Sequence, residues 1–99
     1  MTRRVIIRAE AKQDLREAKG WYQNISRELR VDFVRRVDDA ISMVRERPLA
    51  FPVVFRTFRR ILLHRFPYAL FYHASEDRIV IVAVLHQARD PETLHERRA

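Results

Sequence analysis

The side chains best suited to chemistry lie in the C-terminal half of the chain, where arginine and histidine border apolar segments. Arg59 and Arg60 open a segment that runs to Tyr72, and the next segment ends in the polar stretch from His86 to Arg89. Guanidinium groups are permanently charged and bind phosphate or carboxylate in a bidentate manner, and histidine exchanges a proton near neutral pH. The pattern predicts a site that grips an anionic or polar partner.

The charge of the chain supports an acidic partner. The formal net charge is +7, and all but two of the 20 basic residues are arginine, the exceptions being Lys12 and Lys19. Between Arg47 and Ser75 lie four arginines and no acidic residue. A segment without compensating charge presents an uninterrupted positive field, which predicts a nucleic acid or an acidic polypeptide as the partner.

Several classes of site are excluded by composition. The chain has no cysteine, which excludes disulfides, a thiol nucleophile and a cysteine-ligated zinc, and suits a reducing cytoplasm. It contains no Gly-rich phosphate loop and no nucleophile elbow. No apolar run approaches the roughly 20 residues of a membrane span. The histidines lack metal-ligand spacing, so we expect neither a metal nor a cofactor; they are His64, His73, His86 and His95.

The N-terminal half reads as a short strand followed by two helices. Arg4 to Arg8 is a β-rich run, and Ala9 to Asn24 carries apolar residues at helical spacing. Trp21 and Tyr22 are expected to anchor this helix to the core. Ser26 is the expected N-cap of a second helix that ends before Pro48, so the two helices should form an antiparallel hairpin.

The C-terminal half reads as three strands and a short tail helix. The strands are expected at about Phe58–Arg65, Tyr68–His73 and Arg78–His86, and the segment 49–57 is expected to be irregular and extended only in part. Asp90 and Pro91 are typical of a helix start, and a tail helix is expected over 91–97. The order β-α-α-β-β-β predicts a single α+β domain over residues 1–99, with a helical hairpin packed on a small, mostly antiparallel sheet.

This order of elements and the residues on them resemble the RelE/ParE toxin superfamily of bacterial toxin–antitoxin modules, on its ParE-like side. The likeness covers nearly the whole chain, and the ordered set of motifs is more specific than any one of them. The motifs are Asp14-Leu15, Trp21-Tyr22, Phe33, Ala40-Ile41, Pro48–Pro52, Arg59-Arg60, Arg65–Tyr72 and Ala83–Pro91.

The resemblance implies a cytoplasmic toxin of a type II toxin–antitoxin module, held in a hetero-oligomer by a cognate acidic antitoxin. ParE-like members inhibit DNA gyrase without a recognised catalytic site, whereas RelE-like members cleave messenger RNA at the ribosome. We expect a non-catalytic gyrase inhibitor, with a ribosome-dependent endoribonuclease as the alternative. The partners expected are therefore the antitoxin and either gyrase or the ribosome with its messenger RNA.

The ribonuclease alternative has its own candidate residues. Attack by a 2′-hydroxyl needs a base, an acid and cationic stabilisation of the phosphate. If the chain were a ribonuclease, the catalytic set would be Arg60, Arg65, His86 and Arg89. The ribonuclease branch usually carries several basic residues along the sheet, whereas Tyr68–Tyr72 has none and both lysines lie on the first helix.

The residues expected to bind the target or the antitoxin come from the predicted strands and the tail. Neighbouring strand residues point to opposite faces, so at most one of Arg59 and Arg60 faces a given partner, and the resemblance to the toxin superfamily favours Arg60. Tyr68 and Tyr72 should share a face. Ordinary alternatives remain: His86 bonded to backbone at a strand end, and Arg89 paired with Asp90. The set is Arg59, Arg60, His64, Arg65, Tyr68, Tyr72, His86, Arg89, Arg97 and Arg98.

Overall fold

The computed structural model describes residues 3–99, and these form a five-stranded sheet, two long helices and a C-terminal 3₁₀ helix. The strand order is β1-β5-β4-β3-β2, with β1 parallel to β5 and every other pair antiparallel. The predicted α+β class is confirmed. In chain order the elements are β1 (Arg4–Ile7), α1 (Ala9–Ile25), α2 (Arg27–Glu46), β2 (Val53–Phe55), β3 (Phe58–Leu62), β4 (Tyr68–Ala74), β5 (Arg78–His86) and the 3₁₀ helix (Pro91–Glu96).

The two helices form the predicted hairpin. The Oγ of Ser26 accepts a hydrogen bond from the Leu29 N–H at 3.1 Å, so the predicted N-cap is confirmed. Because only Ser26 separates the helices, α2 folds back directly along α1. None of the helices within residues 3–99 is long and apolar enough to cross a membrane.

The strands differ from the sequence prediction at the β2–β3 edge. The segment expected to be irregular contains β2, which pairs with β3 only at Phe58 and Arg59. The third strand ends at Leu62 rather than at Arg65, because Arg65 takes a left-handed backbone conformation with φ of 75°. That conformation belongs to a turn and cannot continue a strand. Because β2 pairs with β3 only at Phe58 and Arg59, the end of β3 near Leu62 has no second strand partner among residues 3–99.

The sheet has an apolar cluster on each face. The helices cover one face, where Leu70 and Tyr72 pack with Phe33 of α2. On the opposite face, called the outer face here, Phe71 and Leu94 belong to a second cluster, so the 3₁₀ helix covers part of it. Successive strand residues alternate between faces, and this is why Tyr68 and Tyr72 lie on the helix side, as predicted.

Trp21 departs from its expected place in the core. Its side chain is 63% exposed, whereas Tyr22 packs its ring against Phe33 and Phe66 at centroid distances of 5.2 and 4.9 Å. Trp21 lies beside His86, the last residue of β5, so little of the sheet remains to cover it. The prediction that Trp21 anchors α1 to the core is wrong, and the anchoring role belongs to Tyr22.

A bulge in β5 leaves backbone groups that the rest of the fold must satisfy. Tyr72 pairs with Ile81 and Phe71 pairs with Ala83, which leaves Val82 as an extra residue. The pairing of β1 with β5 ends at Ile7 and Ile81, so in the described part of the chain no strand pairs with that edge of β5 beyond Ile81. Asp14 of α1 fills this gap by accepting the Val84 N–H at 2.9 Å.

Candidate partner-binding surface

Two concave surfaces meet along β3. The first, called the helix-edge groove, lies between α2 and the unpaired end of β3 and has a volume of about 720 Å³. The second, called the outer-face cleft, lies on the sheet face opposite the helices and has a volume of about 400 Å³. Arg60 and Leu62 line both, so the end of β3 forms the ridge between them.

The helix-edge groove exists because β2 is short. The Leu63 N–H donates to the Tyr68 carbonyl of β4, so the backbone groups of Leu62 point away from β4. The Arg60 N–H still reaches the Pro52 carbonyl at 3.1 Å, but no strand in the described part of the chain pairs with Leu62 on that side. Met43 of α2 lines the groove wall and is 52% exposed. The groove therefore offers an open strand edge beside an apolar wall.

The outer-face cleft combines an apolar floor with a cationic rim. Leu62, which lines the cleft, is 52% exposed, and the Phe71 and Leu85 side chains that also line it are buried. Arg60 and Arg89 lie exposed at the rim, and neither guanidinium makes an ion pair within residues 3–99. No aspartate or glutamate lines the cleft. The arrangement suits a ligand that carries both carboxylates and apolar groups.

His86 lies at the mouth of the same cleft, and one of its ring nitrogens is already hydrogen-bonded to the loop that follows β5. Its Nδ1 accepts the Ala88 N–H at 3.0 Å, and its ring packs edge-on against Tyr68 at 5.2 Å. The interpretation of His86 as a strand-end histidine bonded to backbone is confirmed. Arg89 makes no ion pair with Asp90, because that carboxylate instead caps the 3₁₀ helix by accepting the Glu92 N–H at 2.9 Å.

Arg59 and Arg65, two of the arginines predicted to bind a partner, make contacts within the fold. The Nη1 of Arg59 donates to the Phe51 carbonyl at 2.7 Å, which fixes the loop after α2. Arg65 forms an ion pair with Asp32 of α2 and so fixes the β3–β4 turn to the helices. His64 is exposed and lines the helix-edge groove. Of these three, His64 keeps the most freedom to bind a partner.

Tyr72 and Arg97 are not available as surface contacts. Tyr72 is fully buried and donates its hydroxyl hydrogen to the Pro48 carbonyl at 2.6 Å; burial raises the pKa of this phenol. Arg97 donates to both carboxylate oxygens of Asp14 at 2.7 and 3.0 Å and to the Val82 carbonyl at 2.9 Å. The hydrogen bonds that Arg97 donates to Asp14 raise the pKa of its guanidinium above the ordinary value. Both residues stabilise the fold, which corrects the expectation that they contact a partner.

The remaining predicted residues divide between core and surface. Tyr68 is half-buried against Tyr22 and Phe33, and burial is the main cause that raises the pKa of its hydroxyl. Arg98 is exposed and donates to the carbonyls of His95 and Arg97 at 3.2 Å each. In the described part of the chain, no cluster of three or more His, Asp or Glu is placed to hold a metal ion.

Sequence reasoning missed three residues that shape these surfaces. Leu62 and Met43 lie within the predicted strand and the predicted second helix, and nothing in the sequence marks them as contacts. Their exposure makes them the apolar contacts of the two concavities. Asp14 belongs to the Asp14-Leu15 motif, but the sequence does not predict which group its carboxylate binds. A carboxylate inside an otherwise apolar helix stripe was the signal available in the sequence, since such a group needs a partner when buried.

Comparisons with known proteins concern the family and the fold of the chain. The family model described as "ParE toxin of type II toxin-antitoxin system, parDE" matches residues 5–91. Toxin ParE2 from two strains of Mycobacterium tuberculosis is 29% identical over 96 residues, covering 95% of this chain and 90% of the relative. A solved chain of the chromosomal ParDE TA system from P. aeruginosa shares the fold with a TM-score of 0.75 at 16% identity, covering 86% of this chain and 96% of that one.

Proposed function

The chain belongs to the ParE toxin family of type II toxin–antitoxin systems, and we propose that it arrests growth in the cytoplasm by binding DNA gyrase. The observation that carries the proposal is the outer-face cleft. Its apolar floor and its two arginines without ion pairs within residues 3–99 support a binding surface rather than a reaction centre. Inhibition by binding needs a surface that is complementary in shape and charge to a partner protein. The apolar floor and the cationic rim of the cleft support this role.

We assign the antitoxin to the helix-edge groove. An extended segment can add to the open edge of β3 at Leu62 and place alternate side chains against Met43 and Phe51. Among the charged lining residues Arg36 is paired with Asp32 at 3.4 Å, whereas Arg60 makes no ion pair within residues 3–99, so Arg60 is the charge that favours an acidic segment. Opposite charges speed the encounter and fix the register of the docked segment. The product is a hetero-oligomer of toxin and antitoxin.

The ribonuclease alternative is supported by one observation: Arg60, His86 and Arg89 line the same cleft. Cleavage of RNA needs both a base and an acid. His86 has only its Nε2 free, because Nδ1 accepts the Ala88 N–H, and no aspartate or glutamate lines the cleft. Arg65, the fourth candidate, is paired with Asp32 and lines neither concavity. The geometry therefore favours binding over cleavage.

Supercoiling by purified gyrase tests the proposal directly. The toxin should block supercoiling of relaxed plasmid in proportion to its concentration, and prior incubation with its antitoxin should restore the activity. A parallel reaction with translating ribosomes should leave the messenger RNA intact. Ribosome-dependent cleavage of messenger RNA, with supercoiling unaffected, would replace gyrase by the ribosome as the target.

A further inference from the structure

We propose that the outer-face cleft recognises a polypeptide segment of the target in which carboxylates flank apolar side chains, and that the antitoxin displaces this segment by competing for Arg60 and Leu62. The inference rests on the proposed function as an inhibitor that acts by binding. It adds the chemistry of the ligand and the way in which binding is regulated.

The rim of the cleft selects carboxylates. Arg60 and Arg89 are both exposed there, and no acidic residue among those lining the cleft neutralises them. By contrast, Arg65 and Arg97 elsewhere in the fold are already paired with Asp32 and Asp14. A guanidinium without a partner gains a bidentate, charge-assisted contact when a carboxylate arrives. The ligand therefore carries negative charge at positions that reach the rim.

The floor of the cleft selects apolar side chains and disfavours nucleic acid. Covering the exposed Leu62 side chain stabilises a complex through burial of apolar area. Bases bind to free aromatic faces, but Phe71 is buried. The ring of Phe55 is occupied by the Arg56 guanidinium at 4.8 Å and by His95 at 4.7 Å. A peptide with apolar side chains fits this floor better than a stacked polynucleotide.

The position of β3 couples this cleft to the helix-edge groove. Arg60 and Leu62 are two residues apart, so their side chains lie on the same face of the strand. They line both concavities, while Met43 lines only the groove and Arg89 does not line it. An antitoxin segment seated along the edge of β3 covers Arg60 and Leu62. The two ligands then exclude one another by direct contact, without a change of fold.

A peptide-binding experiment tests the inference without gyrase. The probe is the fluorescein-labelled peptide Asp-Glu-Leu-Phe-Asp-Glu, followed by fluorescence anisotropy with the full-length toxin. One control peptide replaces the acids by Asn and Gln, and a second replaces Leu and Phe by Ser. Arg89→Glu removes a rim charge. Arg4→Glu makes the same charge change at the exposed first residue of β1, which lines neither concavity.

The expected result is binding of the acidic, apolar peptide with affinity about tenfold or more above either control peptide. Arg89→Glu should lower this affinity by about tenfold or more, and the milder Arg89→Gln should lower it less. Arg4→Glu should leave the affinity unchanged. Circular dichroism should show that each variant is folded.

Other outcomes overturn the inference. The carboxylate requirement fails if the amide peptide binds as tightly as the acidic one. Tighter binding of a labelled decathymidylate, in competition with the peptide, assigns the cleft to nucleic acid. Absence of peptide binding up to millimolar concentration removes the site altogether. The competition is wrong if the purified toxin–antitoxin complex binds the peptide as well as free toxin does. Failure of gyrase inhibition alone would count against the target and leave the peptide result standing.

Discussion

Asp14 and Arg97 form a buried two-pronged ion pair that joins the first helix to the end of the C-terminal tail. The guanidinium donates to both carboxylate oxygens at 2.7 and 3.0 Å, and the two side chains are only 7% and 11% exposed. The same pair satisfies the Val84 N–H and the Val82 carbonyl at the bulged edge of β5. One contact thus fixes the tail and caps the strand edge that β1 leaves uncovered.

Asp14→Ala should destabilise the fold strongly. Removing the carboxylate leaves the Arg97 charge buried without its partner and the Val84 N–H without an acceptor, which together cost about 3–5 kcal/mol of unfolding free energy. Asp14→Asn should cost less, because its amide oxygen can still accept the Val84 N–H. Urea unfolding followed by circular dichroism measures both. Equal losses for the two variants would show that the backbone contact contributes nothing.

Deleting residues 91–99 should reduce growth arrest and antitoxin binding together. The tail buries Leu94 and contributes Arg97 to the ion pair, so both activities should fall with the stability of the fold. Losing both contacts lowers stability by several kcal/mol, a large share of the roughly 5–15 kcal/mol that stabilises a small domain. The unfolding midpoint measures the loss.

Deleting only residues 98–99 is the matched control for the tail, since Arg98 and Ala99 are exposed. This shorter deletion should leave the unfolding midpoint near that of the full chain. A tail deletion that abolishes growth arrest at unchanged stability would instead assign the tail to target binding.

The fold should lose stability in alkali, and Tyr72 should carry part of that loss. Burial raises the pKa of Tyr72 above its ordinary value of 10.0. The unfolded chain therefore releases this proton first, so the contribution is fully present below pH 10 and falls as the pH rises through the folded-state pKa. Tyr22 and Tyr68 act in the same direction because burial also raises their pKa values.

Tyr72→Phe separates the hydrogen bond from the titration. The variant loses the bond to the Pro48 carbonyl and should be about 1 kcal/mol or more less stable at neutral pH. Its stability should then decline less steeply than that of the unmodified chain above pH 10. Urea midpoints across this pH range test both points. Parallel declines for the two proteins would assign the alkaline sensitivity to other groups.

Met43→Asp should weaken the antitoxin complex. Met43 is an exposed apolar contact on the wall of the helix-edge groove, and a carboxylate there loses apolar burial and repels an acidic segment. We expect the dissociation constant to rise by about tenfold or more, measured by calorimetry. Ser42→Asp is the matched control, because Ser42 is exposed beside Met43 but does not line the groove. Similar effects of the two variants would place the antitoxin elsewhere.

Arg60→Glu should impair both interactions, because Arg60 lines both concavities. Growth arrest and antitoxin affinity should fall together, whereas Arg89→Glu should reduce growth arrest and leave the antitoxin affinity within about twofold. Growth curves after induction and calorimetry with the antitoxin provide the two measurements. If Arg60→Glu affects only one of them, Arg60 is not shared and the competition between antitoxin and target is wrong.

The sequence by itself determined the fold class and every helix and strand except β2, because these follow from local patterns. Helical spacing defined α1 and α2, the Ser26 cap marked their boundary, and the pattern over Arg78–His86 predicted the strand β5. The motifs also led to the toxin family that the comparisons show. Patterns of this kind indicate which residues are buried when the chain folds.

Only the tertiary structure decided which arginines are free to bind. Arg65 and Arg97 look like Arg60 and Arg89 in the sequence. The first two form ion pairs with carboxylates from distant elements, whereas the other two form none within residues 3–99. The early end of β3 likewise depends on the turn at Arg65 and on the short partner strand β2. Pairing between residues far apart in the chain depends on packing geometry, and local sequence propensity does not determine which residues pair.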